Sequence, residues 1–296
     1  MNAPTLQIRD LNLGFRTYAG MIEVLHGISL HIGRGERVAL VGESGSGKSV
    51  TARIILGLLQ SLRSARISGR VEFEGRDLER LAERERHALR GTKMSMIFQD
   101  PTSSLNPVYT IATQFREVLE RGNPGIREAQ ARSQAIAALD DVAISEPERV
   151  LNSYPFQLSG GMNQRVMIAM ALANEPSLLI ADEPGTALDV TVQAQTLKLM
   201  RDLVQRHNTA VLFISHNLGV VREFADRVYV IYKGRIVEQG SAAALFEDPR
   251  HPYTRALLKA VPRITGGGIP EIEDASESYF APLVVHEGFG EPGVVG

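Results

Sequence analysis

Apolar and polar residues alternate along the first forty positions, most plainly in IEVLHGISLHI (22–32), and the same period returns in RVEFEG (70–75). Alternation presents one face to a core and one to water, so it predicts half-buried strands in an antiparallel β-rich layer. From Ile111 the period lengthens. Ile111, Phe115, Val118 and Leu119 share one helical face, and EAQARSQAIAALDDV continues the helical composition, predicting a helical lobe over roughly 105–155. Short unbroken apolar runs then recur with helices between them: RVALV (37–41), MSMIF (94–98), SLLIAD (177–182) and AVLFIS (210–215). That order predicts an α/β core with a largely parallel, doubly wound sheet. DRVYVIYKGRIVEQG (226–240) reads as a hairpin turning at Lys233-Gly234. HPYTRALLKAVP (251–262) reads as a last helix, with Pro252 in its first turn and Pro262 beyond its end. The remaining residues, 263–296, open on a Gly-rich hinge and an acidic patch and read as a loosely held tail. No internal repeat is visible.

The first run ends in GESGSGKS, Gly42 to Ser49, which satisfies G-x-x-x-x-G-K-S/T between a strand and the helical VTARIILGLL. Glycines let backbone N–H groups turn inward around phosphate oxygens, and the helix N-terminus adds its dipole. Lys48 is expected to reach the β- and γ-phosphates and Ser49 to bind Mg²⁺. In an open parallel sheet ligands lie beyond the carboxyl ends of the strands, so the residue after each run becomes a candidate. Asp182 and Glu183 follow the third run, the first to hold Mg²⁺ and the second to polarise an attacking water. Gln99 follows MSMIF and can reach the metal or the water; His216 follows AVLFIS and can bond the γ-phosphate.

A second glycine turn lies in QLSGGMNQR (157–165). Ser159 is a good N-cap, and Met162, Val166, Ala169 and Met170 follow at helical spacing until Asn174-Glu175-Pro176 ends the run. The tip is an anion site without a lysine of its own. Spacing alone favours a plain tight turn before an ordinary amphipathic helix.

Composition adds boundaries to this picture. With 44% hydrophobic residues in 296, the chain can bury a large core. The 32 basic and 34 acidic side chains nearly cancel, so no overall pull toward nucleic acid or acidic lipid follows. The absence of cysteine excludes disulfides and thiolate metal sites, and no apolar stretch approaches the ~18 residues of a membrane span. Together with an N-terminus lacking a signal-peptide core, these features predict a cytoplasmic protein.

Taken in order, GESGSGKS, IFQDP, LSGGMNQR, LLIADEP, ALD and SH resemble the motif set of ATP-binding cassette (ABC) ATPases, over roughly residues 5–262. The resemblance implies a P-loop NTPase cassette over 1–262, with an antiparallel β-subdomain, a RecA-like core and a helical subdomain inserted at about 105–175, and then the tail. In that family two cassettes pack head to tail, and each ATP lies between one phosphate loop and the partner's signature turn. The second glycine turn would therefore serve the neighbour's nucleotide. Carried over by position, Gly42, Glu43, Ser44, Gly45, Ser46, Gly47, Lys48, Ser49 and Val50, with Gln99, Asp182, Glu183 and His216, are assigned to ATP and Mg²⁺ in cis. Ser159, Gly160, Gly161 and Gln164 go to the nucleotide in trans. Asp189 would sense the opposite site, and Tyr18, thirty residues before Lys48, would stack on adenine.

Finer stretches, YPFQLSGGMNQRVMIAMALA and HPYTRALLKAVP among them, resemble the ATPases of bacterial peptide and nickel importers. That implies a second cassette, either a paralogue or a second copy, on the cytoplasmic face of two membrane permease subunits. An extracytoplasmic solute-binding protein would feed them, and nucleic acid has no part. Asn163, Gly185 and Asn217 depart from the residues common in these relatives, and the cysteine-containing segment often found after the last helix is absent. A repair or translation cassette is the main rival, opposed by the missing heptad insertion and the single cassette; a regulatory cassette with an idle site is another. No N-K-x-D guanine-reading segment occurs.

Overall fold

The structure, a computed structural model, describes residues 3–100, 104–185, 190–260 and 277–286. In chain order its elements are β1 (Leu6–Thr17), β2 (Gly20–Ile32), β3 (Arg37–Val41), α1 (Lys48–Ile55), β4 (Ala65–Phe73), β5 (Arg76–Asp77), α2 (Glu83–Leu89), β6 (Met94–Ile97), α3 (Ile111–Gly122), α4 (Glu128–Asp141), α5 (Pro147–Leu151), α6 (Gly160–Leu172), β7 (Leu178–Asp182), α7 (Val190–Arg206), β8 (Ala210–Ser215), α8 (Leu218–Phe224), β9 (Arg227–Tyr232), β10 (Arg235–Ser241), α9 (Ala242–Glu247), α10 (Pro252–Lys259) and β11 (Val284–Val285). Two compact units form, 1–81 with 212–296, and 82–211.

In the first unit the alternating N-terminal residues build a four-stranded antiparallel sheet in the order β2-β1-β4-β5. Its register sets Leu6 opposite Ile32 and Ile8 opposite Leu30, so that Leu6, Ile8, Leu11 and Leu13 share a buried face with Leu25, Ile28, Leu30 and Ile32. Each such side chain contributes roughly 1.5–3 kcal/mol of transfer free energy. The unbroken run of β3 is buried on both faces and pairs parallel with β9, as sequence with no polar alternation requires. β9 returns antiparallel into β10, and Lys233 and Gly234 between them both take positive φ, 41° and 75°. That is the hairpin expected at those residues.

The described part of the tail departs from the sequence reading of a loose end. β11 pairs parallel with β10, Glu238 opposite Val284, while Tyr279 and His286 are buried. The Gly-rich and acidic stretches precede it; ESYFAPLVVH (277–286) is itself largely apolar, and the edge of β10 and the rings of Tyr232 and Tyr253 supply its partners.

The second unit pairs β6 parallel with β7 and carries helices α2 to α7. The expected helical face is present: Ile111, Phe115 and Leu119 of α3 are buried and Val118 is half-buried, and Thr110 caps the helix through a bond from the Thr113 N–H. Among the described residues no helix is long and apolar enough to cross a membrane.

A histidine in the first unit makes stability depend on pH. The buried Arg227 guanidinium donates to His31 Nε2 at 2.6 Å and to Glu36 at 2.7 Å, and the Tyr229 hydroxyl lies 3.4 Å from His31 Nδ1. A donor facing Nε2 requires the neutral ring. Burial first, and then the Arg227 charge, push the His31 pKa down; Glu36 opposes them. The unfolded chain takes up its proton near pH 6.5, so the stabilisation is complete above that value and is lost as pH falls through it. The melting temperature is expected to fall between about pH 7.5 and 5.5, and His31→Gln should flatten that slope. Burial also lowers His251, whose share would remain. An unchanged slope in the variant would remove His31 as the cause.

Candidate functional site

The phosphate loop leaves β3 at Gly42 and ends at Gly47, the residue that caps α1 with φ 110°. A Cβ on Gly47 would sit 2.5 Å from Leu25 Cδ2, and one on Gly42 would collide with the Ile231 carbonyl oxygen. Both positions therefore need glycine for space, and Gly47 needs it for conformation as well. Lys48 is buried and folds its ammonium back onto the loop, donating to the Gly42 carbonyl at 2.8 Å and the Glu43 carbonyl at 2.7 Å. The cation is thus held against the loop's own carbonyls, which anionic oxygens can replace as partners. The loop is braced by the Gly234 N–H on the Ser46 carbonyl and the Thr51 hydroxyl on the Gly47 carbonyl. Ser49 and Val50 are half-buried in the first turn of α1, while Ser44 and Gly45 stand exposed at the tip of the loop.

In the second unit β7 is buried along its whole length and delivers Asp182, 9% exposed, and then Glu183 at its carboxyl end. Glu183 holds a positive φ of 51°, a strained conformation costing about 1–3 kcal/mol for a residue with a side chain. That turn aims its carboxylate at Gln99, whose amide donates to Oε2 at 3.0 Å. The sequence placed the two residues after separate apolar runs, and strand pairing makes them partners. With its NH₂ committed to Glu183, Gln99 keeps a carbonyl oxygen for a cation or a water. Gln99 and Asp182 of this unit offer an amide oxygen and a carboxylate, hard oxygen donors whose chemistry fits Mg²⁺. No cluster of three or more His, Cys, Asp or Glu side chains suited to a metal exists among the described residues.

The same unit carries the second glycine turn. Ser159 caps α6 and its hydroxyl accepts from the Met162 N–H at 3.3 Å. The tip opens into a cavity of about 570 Å³ whose walls include Ser145, Arg149, Gly160, Arg165 and Gln195. Arg165 bonds the Ala143 carbonyl at 3.0 Å, and Arg149 is paired with Glu146 at 2.9 Å. Two guanidinium groups and a helix N-terminus put positive charge in this wall, beside the Glu146 carboxylate. Arg165 was legible as the residue one turn past Gly161 on the same face. Arg149 comes from another helix and left no signal.

A phosphate loop, a carboxylate pair at a strand end and an anion-binding helix tip are the parts of a cassette, and the family profile described as "ABC transporter" matches residues 25–186, more than half of the chain. The chain belongs to the ABC transporter family. With membership come ATP binding and the ATPase activity of that family. A second profile, "Oligopeptide/dipeptide transporter, C-terminal region", matches residues 237–280. The oligopeptide transport ATP-binding protein OppD of Bacillus subtilis is 48% identical over 267 residues, 90% of this chain and 74% of its own length. The peptidoglycan transport ATP-binding protein YejF of Agrobacterium fabrum is 52% identical over 93% of this chain, which spans 49% of that relative. The fold is likewise that of a solved, dimeric ATP-binding cassette, MJ0796 bound to ADP and Pi. That structure has a TM-score of 0.71 and 27% identity over 80% of this chain and 98% of its own.

The other expected residues of the cassette differ widely in exposure. Tyr18 projects into solvent at the β1–β2 turn, 113% exposed relative to a free residue. His216 is exposed just after β8. Gln164 is fully buried in α6, and neither amide atom has a hydrogen-bond partner. Asp189 lies outside the described residues. The three departures each have a local reason. Buried Asn163 donates to the Pro155 carbonyl at 3.0 Å and fixes the turn leading to Ser159. Gly185 takes φ 94°, a conformation that favours glycine. Asn217 caps α8 by accepting from the Gly219 and Val220 N–H groups, a role an Asp fills equally well.

Proposed function

We propose that the protein is the ATP-hydrolysing subunit of an importer for peptides or related small solutes, peripheral on the cytoplasmic face of the membrane. The observation carrying this reading is the match of residues 237–280 to the C-terminal region of oligopeptide and dipeptide transporters. The names of the relatives, with their oligopeptide and peptidoglycan transport, support it. The partners are a second cassette, paralogue or copy, two permease subunits and a solute-binding protein outside the membrane. The dimeric state of the related ATP-binding cassette supports the pairing.

The residues divide the work as follows. Lys48 and the loop amides hold the β- and γ-phosphates, and Lys48 gives up its carbonyl partners to do so. Bound Mg²⁺, held by Ser49, Asp182 and Gln99, would neutralise phosphate charge. Glu183, fixed by the Gln99 amide, orients water and accepts its proton. Ser159, Gly160 and Gly161 present N–H groups to the γ-phosphate of the neighbouring cassette, so loss of that phosphate weakens the dimer. Tyr18 supplies the adenine platform.

Affinity purification of the protein from membranes should bring down two permeases and a cassette. Vesicles holding that assembly should take up short peptides only with ATP and the solute-binding protein. Copurification with a nucleic-acid enzyme or ribosomes, and no uptake, would replace this reading with the repair or translation class.

A further inference from the structure

One hydrogen bond ties the C-terminal region to the phosphate loop. The backbone N–H of Glu43 donates to the Tyr253 hydroxyl at 3.0 Å, across 210 residues of sequence. Tyr253 lies on α10 and is buried. Burial raises its pKa, so the hydroxyl remains neutral at any physiological pH. The amide it occupies belongs to the loop that cradles phosphate, and Lys48 donates to the carbonyl of the same residue. Tyr253 therefore sets, from behind, the orientation of the peptide unit joining Gly42 to Glu43.

Tyr253 is in turn gripped by the segment 277–286. Its ring lies 4.4 Å from that of Tyr232, and Tyr279 packs edge-on against both at 5.6 Å. The start of α10 is held by the same segment in a second way. Buried Glu238 accepts from the Arg250 and His251 N–H groups at 2.8 and 3.1 Å, and the third group on that carboxylate is His286 Nε2 at 2.8 Å. His251 accepts the Tyr253 N–H on Nδ1 at 3.2 Å, which leaves Nε2 to donate to the Ala281 carbonyl at 3.4 Å. Ring packing, a buried carboxylate and a neutral histidine thus converge on the first turn of α10, which carries Tyr253.

We propose that Tyr253 is a positioning residue for ATP binding and that the segment Glu277–His286 is the strap that holds it against the phosphate loop. The strap tunes nucleotide affinity without touching nucleotide. The proposal rests on ATP binding by the loop and is independent of which solute is carried.

In the full chain, Tyr253→Phe keeps the ring and removes only the hydroxyl. It should raise the KM for ATP and the Kd for a fluorescent ATP analogue about three- to tenfold, the scale of one neutral hydrogen bond, and leave kcat unchanged. Tyr279→Leu should shift KM in the same direction, and the double variant should be no worse than the weaker single, because both act through one contact. In the unaltered protein, the Glu43 amide should be protected from hydrogen exchange before any nucleotide is added, a measurement that needs no variant. An unchanged KM in Tyr253→Phe, a loss confined to kcat, additive effects in the double variant, or a rapidly exchanging Glu43 amide would each overturn the proposal. Failure of the unaltered protein to bind the analogue would remove the ATP site itself, whereas failed peptide uptake with normal nucleotide binding would leave the strap standing.

Discussion

Replacing Glu183 by Gln is expected to abolish ATP turnover while nucleotide binding persists. The substitution preserves shape, and an amide oxygen at that position can still accept the bond that Gln99 gives to Oε2. The strained φ of 51° is set by the backbone and is unaffected by the exchange. Only the ability to take a proton from water is lost, and a positioned general base is worth about 10²–10⁴ in rate. The cassette should therefore bind Mg-ATP, close with its partner and stay closed, seen as an ATP-dependent shift on sizing alongside a collapse of phosphate release. The partner for this measurement is whichever cassette copurifies, a paralogue or a second copy. Ordinary turnover by Glu183→Gln would show that the proton goes elsewhere.

The second large effect is expected from Ser159→Arg. Ser159 caps α6 through its hydroxyl and stands exposed at the mouth of a cavity already walled by Arg149 and Arg165. An arginine there removes the cap, at a cost of about 0.5–2 kcal/mol, and adds a third cation at the positive end of a helix. Its bulk occupies the space proposed for the neighbour's γ-phosphate. ATP binding by the single cassette should be unchanged, because Ser159 is not among the residues assigned to ATP in cis. Closure of the pair should weaken by ~30-fold or more, the scale of a hot spot lost from the centre of an interface. Ser159→Ala separates the two causes: it also loses the cap but leaves the space open, so it should close far better. If Ser159→Arg closes as well as the unaltered protein, the signature turn is not in the interface.

Several elements were legible in the sequence because their physics is local. Gly42 to Ser49 could be read as a phosphate loop since the turn needs glycines at set positions, and the structure shows the clash that any Cβ would make at Gly42 and Gly47. The hairpin at Lys233-Gly234, the Ser159 cap and the helix begun by Pro252 depend on residues within a few positions of one another, and all three are found. The buried strands β3, β7 and β8 announce themselves as unbroken apolar runs, which burial on both faces accommodates; the fourth run, MSMIF, became β6, with Met94 and Ile97 buried.

What the sequence could not fix is any pairing between residues far apart along the chain. That Gln99 meets Glu183, that Arg149 reaches the cavity at the α6 tip, and that the Tyr253 hydroxyl takes the Glu43 amide follow from how sheets and helices pack. The Gly-rich and acidic residues that open the final segment read as a loose tail, yet the largely apolar ESYFAPLVVH (277–286) lies against β10 and the tyrosine cluster, because an open strand edge and buried rings supply its partners. Motif order by itself determined the family and the chemistry of the phosphate loop, since those rest on residue type at fixed spacing. The tertiary structure alone decided which groups hold that loop and the base in place, since hydrogen bonds and ring contacts act over a few ångströms of space whatever their separation in sequence.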